Sequence, residues 1–169
     1  MLKFRLIILV GLLFGFSSVK ASELDVLIER LSTQQAARDA SGAEVAHPSV
    51  SIAKKLLGIP YRWGGTTAQG GFDCSGLIVY VYNKAAGIKL PRTIQQMSSK
   101  GRSIDDQPPA PGDLVFFNTT GEKYSHAGIY VGQGRFVHAP SAGGTVRLDY
   151  ITTPYWAAKF TEARRLIPQ

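Results

Sequence analysis

At 169 residues, with 44% hydrophobic and 18% charged content, the chain has room for one domain with a real apolar core and none for a second full domain. Its formal net charge is +7, yet no Lys/Arg block of the kind that forms nucleic-acid tails is present, so a nucleic-acid partner is not expected. The basic excess suits an anionic polymer or an acidic surface.

In chain order, Lys3 and Arg5 precede the apolar run Leu6 to Phe16, and Ser17, Ser18 and the small-residue pattern Val19-Lys20-Ala21 follow. That layout predicts a secretory signal peptide over residues 1–21, cleaved after Ala21. The run is about half of the ~20 apolar residues a membrane span needs. Lipid attachment would require a cysteine at the cleavage site, and the single cysteine lies far downstream. The expected product is exported to the periplasm or the extracellular space, with no stable membrane insertion after cleavage, and is a monomer. Lys3, Arg5 and Lys20 leave with the leader and no acid does, so its charge is 16 − 12 = +4.

Leu24, Leu27, Ile28 and Leu31 recur at helical spacing between charges, which gives an N-terminal helix and linker over residues 22–47. The main folded domain, over 48–169, is expected to begin at Pro48, whose ring suits a first helical turn, with a short helix closed by Gly58. A glycine-bearing loop runs from Tyr61 to Gly71. Asp73 then caps a continuous apolar run from Cys74 that predicts a buried helix ending at Gly87. A short helix over Thr93 to Ser99 is followed by the Pro108 to Gly112 breaker. Beyond it lie five β-type runs: Asp113 to Asn118, His126 to Val131, Arg135 to Ala139, Thr145 to Leu148 and Lys159 to Leu166. Gly132-Gln133-Gly134 reads as a hairpin turn. Helices followed by a strand meander imply an α+β fold, with N-terminal helices packed on a largely antiparallel five- to six-stranded sheet.

An unpaired thiol is a liability in an oxidising compartment, so a lone Cys74 calls for a reason. It falls at a helix start, His126 at the start of one strand, and His138 near the end of the next. The histidines are 138 − 126 = 12 positions apart. Because that number is even, a regular pleat with a tight turn points both to one sheet face. With the Cys74 helix packed on that face, the thiol meets His126. A helix N-terminus and an adjacent imidazolium both favour the thiolate, the form that attacks carbonyls. His126 then serves as base or ion-pair partner and protonates the leaving amine, while His138 holds its ring in the productive tautomer. Backbone N–H groups at the start of the Cys74 helix are natural oxyanion donors, the loss of one costing ~3 kcal/mol. His47 has no partner motif and is read as structural. Trp63 is expected to pack its ring, and Arg92 to form a structural ion pair or cap.

Three further blocks carry a resemblance: Tyr61-Arg62-Trp63-Gly64-Gly65, Gly71-Phe72-Asp73-Cys74-Ser75-Gly76-Leu77 and Leu90-Pro91-Arg92. With Gly112 to Phe117, His126 to Gly132 and Phe136 to Ala139 in order behind them, the chain resembles the NlpC/P60 cell-wall cysteine peptidases from Val50 to Leu166. The resemblance implies a papain-like fold, with Cys74 as nucleophile, His126 as base and His138 as third polar residue. It places Tyr61 near the nucleophile as a substrate or oxyanion contact and gives Asp73 and Ser75 contacts to the bound peptide. Its implied substrates are peptidoglycan stem peptides, cut at D-glutamyl to diaminopimelate bonds or at cross-links through a thioester acyl-enzyme, with no cofactor and no metal. Three other readings compete: a zinc site built from one Cys and two His, a non-catalytic wall-binding module, and an amidase or acyltransferase using the same thiol.

Overall fold

The computed structural model describes residues 47–141 and 143–167, together with Val26, Glu29, Arg30 and Thr33. The expected signal peptide lies outside the described residues. The chain divides into two units, Met1–Ala43 and Glu44–Gln169. In the first, the four described residues are helical, as the period around Leu24 to Leu31 predicts.

The second unit opens with α1 (Pro48–Lys55), which has Pro48 in its first turn. His47 precedes it, and its Nδ1 lies 2.7 Å from Ser49 Oγ, a local structural contact. The loop that follows contains a two-strand ribbon, β1 (Thr66–Thr67) with β2 (Gly71–Phe72), that the sequence reading did not foresee. Next comes α2 (Cys74–Ala86), capped by Asp73 and ended by Gly87 at φ 65°, a left-handed residue that costs glycine nothing. The short α3 (Ile94–Met97) starts at a Thr93 cap.

Six strands form the sheet: β3 (Arg102–Ser103), β4 (Leu114–Phe117), β5 (His126–Gly132), β6 (Arg135–His138), β7 (Arg147–Tyr150) and β8 (Phe160–Arg165). Their order is β3-β8-β4-β5-β6-β7, all neighbours antiparallel, which matches the expected α+β layout. A strand over Thr145 to Leu148 was expected, but the strand is Arg147–Tyr150. Thr145 instead bridges Pro60. A turn of helix before β8, α4 (Pro154–Ala157), was missed because four residues carry no helical period.

β4 is buried throughout, and its alternate residues serve two cores. Leu114 and Phe116 join Ala127, Ile129 and Val137 against Val50, Ala53, Leu77, Ile78 and Val81 of α1 and α2. Val115 and Phe117 join Phe136, Ala163 and Trp156 on the other face. The histidines lie on that second face: His126 stacks on Trp156 with ring centroids 5.5 Å apart, and His138 meets Trp156 edge-on at 5.0 Å. The expectation that α2 packs on the histidine face is therefore corrected. Alternation gives the aliphatic positions of β5 to the helices and the even-numbered ones to the opposite side.

That both histidines share a face also has a different cause from the one expected. Gln133 and Gly134 have φ of 56° and 71°, the positive values of a two-residue primed turn. Pairing of Gly132 with Arg135 beside that turn, continued regularly, would put residues 126 and 138 on opposite faces. A bulge between Tyr130 and Gly132 shifts the register so that Tyr130 faces Phe136, and this restores the shared face.

Candidate active site

Asp73 organises the entry to α2. Its Oδ1 accepts from Gly76 N at 2.7 Å and from Ser75 Oγ at 3.1 Å, and its Oδ2 accepts from Gly64 N at 3.0 Å. Arg92 grips the same carboxylate with two donors, Nη2 to Oδ2 at 2.6 Å and Nη1 to Oδ1 at 3.0 Å, and also donates to Ser75 Oγ. Arg92 is thus the structural ion pair foreseen. Burial works to raise the Asp73 pKa, but the hydrogen bonds from Arg92 and Gly76 outweigh it and hold the carboxyl below its usual range. Asp73 and Ser75 stand at the cavity wall with their polar atoms engaged in this network.

Glycine is required where this loop meets the helix. A Cβ on Gly76 would lie 2.0 Å from the Gly65 carbonyl oxygen, and one on Gly65 would lie 2.4 Å from that of Gly71. Of the four N–H groups at the start of α2 that have no acceptor within the helix, that of Asp73 donates to the Gly65 carbonyl and that of Gly76 to the Asp73 side chain. Those of Cys74 and Ser75 act on the Cys74 sulfur and favour its thiolate.

Cys74 is half-buried and lines a cavity of about 530 Å³ that it shares with Tyr61, Trp63, Asp73, Ser75 and Arg92. Tyr61 is half-exposed. Its pKa is raised by burial and then by Cys74 and Asp73, and its hydroxyl has no hydrogen-bond partner among the described residues. Trp63 is the clear departure from expectation: it is 87% exposed at the cavity wall. An indole left in water beside a cleft is a substrate-contact candidate that the sequence reading passed over as core.

The histidines are buried at the sheet end. His126 Nε2 lies 2.9 Å from His138 Nδ1, and His138 Nε2 lies 3.0 Å from Asp149 Oδ2. Asp149 was not among the expected site residues, because the strand that carries it was taken to stop at Leu148. The structure brings Cys74, Tyr61, Asp73 and Ser75 to one cavity and His126 and His138 to one hydrogen bond. Among the described residues no hydrogen bond joins the sulfur to either ring. Ser125, which precedes His126 in the chain, forms part of the wall of the cavity that Cys74 lines.

Burial, and then the charge of Asp73, pushes the Cys74 thiol up to about 11. Burial, and then His138, pushes His126 down to about 3, and burial pushes His138 to about 4 against the pull of Asp149. At neutral pH the resting site therefore holds a thiol and two uncharged imidazoles. Of the two roles open to His126, this favours base over ion-pair partner.

The NlpC/P60 family profile matches residues 58–165. Gamma-DL-glutamyl hydrolase of Bacillus subtilis is 43% identical over 136 residues, covering 80% of this chain and 32% of that protein. Murein DD-endopeptidase MepH of Escherichia coli is 37% identical over 135 residues, covering 76% of this chain and 50% of that protein. The chain therefore spans between a third and a half of the length of these relatives. A crystal structure of an NlpC/P60 family protein from Bacillus cereus superposes with a TM-score of 0.66 at 36% identity, over 73% of this chain and 40% of that one.

Proposed function

The chain belongs to the NlpC/P60 family, and from that premise we propose that it is an exported cysteine peptidase that hydrolyses peptide bonds in peptidoglycan stem peptides. The observation that carries this reading is the cavity at the start of α2, whose wall includes both Cys74 and Ser125, the residue that precedes His126. The names of the relatives, a glutamyl hydrolase and a murein endopeptidase, support the substrate class and leave two bonds in play. Those are the D-glutamyl to diaminopimelate bond and the cross-link. For location, the leader-like residues 1–21 support export, and among the described residues no helix is long and apolar enough to cross a membrane.

In the proposed reaction substrate binding brings Cys74 Sγ and His126 Nδ1 to hydrogen-bond distance, a contact that is often loose before substrate arrives. Nδ1 takes the thiol proton as sulfur attacks the scissile carbonyl, and the N–H groups of Cys74 and Ser75 receive the developing oxyanion. His126 then gives that proton to the leaving amine, which departs and leaves a thioester on Cys74. Water, deprotonated by His126, attacks the thioester, and the carboxylic acid leaves as the thiol is restored. Tyr61 and Trp63 line the path of the bound peptide, while Asp73 and Ser75 hold the helix entry on which the donors sit.

The test is incubation of purified peptidoglycan with the wild type and with Cys74→Ser, followed by mass spectrometry of released fragments. The expected result is new stem-peptide fragments with the wild type alone, their masses identifying the bond. Identical fragment sets from the two proteins would overturn the proposal.

A further inference from the structure

A general base must present a bare nitrogen to the proton it removes, and the His126–His138 contact alone does not decide which nitrogen that is. Nε2 of His126 and Nδ1 of His138, 2.9 Å apart, share one proton, and either ring can own it. The far side of His138 breaks the tie. Its Nε2 faces Oδ2 of Asp149 at 3.0 Å. That same oxygen accepts from Trp156 Nε1 at 2.9 Å and from Arg147 at 3.2 Å through Nε and 3.0 Å through Nη2. An ionised carboxylate only accepts. Burial works to raise the Asp149 pKa, but the Arg147, His138 and Trp156 contacts outweigh it, so the group is ionised at neutral pH.

His138 therefore carries its proton on Nε2 and exposes a lone pair on Nδ1. His126 must then donate from its own Nε2, and the nitrogen left bare is its Nδ1. We propose that Asp149 is the positioning residue that sets the tautomers of both histidines and so frees Nδ1 of His126 to act as a base. The polar and charged groups near the pair are Arg147 and Asp149 from β7 and the Trp156 indole from α4, with the Phe117 and Phe136 rings beside them. Asp149 keeps its charge throughout; when His126 takes the thiol proton, the carboxylate stabilises the imidazolium through His138. Without it, His138 is free to hold its proton on Nδ1 and donate to His126, whose remaining proton then sits on Nδ1 and blocks the base.

This inference rests on the reading of His126 as base, and its test has a readout that does not need turnover. The full chain with ring-nitrogen-labelled histidine is examined by nuclear magnetic resonance as wild type, Asp149→Ala and Asp149→Asn, alongside kcat and KM on muropeptides. The wild type is expected to show both rings protonated on Nε2. Asp149→Ala is expected to move the His126 proton to Nδ1 and to lower kcat by roughly 10- to 10⁴-fold, the upper figure being the cost of a wrong tautomer in a serine triad, with KM little changed. Asp149→Asn offers an amide oxygen to the same donors, so it should keep the Nε2 tautomers and restore part of kcat. A wild-type spectrum with the His138 proton on Nδ1, or an alanine variant that keeps both tautomers and its kcat, overturns the inference. If Asp149→Ala does not fold, the wild-type and Asp149→Asn spectra decide. A wild type that cuts no muropeptide overturns the functional reading instead, and the ring spectra still decide the tautomers.

Discussion

Cys74 is the residue on which sequence and structure differ most usefully. A helix start and a neighbouring imidazolium argue for a low thiol pKa, and the N–H groups of Cys74 and Ser75 do act in that direction. Burial and the Asp73 carboxylate outweigh them, and no imidazolium is there to help, since His126 is pushed down to about 3. We expect alkylation of Cys74 by iodoacetamide to climb with pH toward about 11, with no plateau at neutral pH. Because the chain has a single cysteine, the label reports on that site alone. A rate already level between pH 5 and 8 would show a resting thiolate and remove the case for His126 as base. Cys74, His126 and His138 could be named as candidates from the sequence because their types are rare. Asp149 and Trp63 were not: an aspartate on a strand acquires meaning only from what it touches, and a tryptophan in a loop only from how far it is exposed.

At the level of elements, the helix that carries Cys74 is defined by its entry. The Asp73 cap, worth about 1 kcal/mol, was readable from residue type and position, as was the Gly87 stop. The need for glycine at 76 was not, because it comes from a carbonyl eleven residues away in sequence. Alanine is the better helix former by about 1 kcal/mol, so propensity alone would make Gly76→Ala stabilising. The Gly65 carbonyl, 2.0 Å from the added Cβ, reverses the sign. The expected outcome is a loss of about 1–3 kcal/mol, as for overpacking, measured by urea unfolding. An unchanged or raised midpoint would mean that the loop yields easily and does not hold the helix start. The β5–β6 hairpin teaches the same lesson: glycines announced a turn, but the bulge at Val131 that sets the histidine register is a property of the paired strands.

At the scale of the whole molecule, the histidine pair couples the site to acid stability. In the unfolded chain these rings titrate near 6.5, whereas in the fold burial holds them at about 3 and about 4. Below 6.5 the unfolded state binds more protons than the folded one, so stability is whole above that value and is lost as pH falls toward 4. Each ring is expected to cost about 2–3 kcal/mol by pH 4.5. Urea midpoints at pH 7.5 and 4.5 measure this, and equal midpoints would mean that the rings are solvated. By itself the sequence determined the succession of helices and strands and the capped start of α2, and it singled out Cys74, His126 and His138 as candidates, since periodicity, caps and rare residue types act over a few residues. Only the tertiary structure decided which sheet face holds the histidines, that Asp149 stands behind them and that Trp63 faces water. Those facts depend on strand register and on burial, and both are set by contacts between residues distant in the chain.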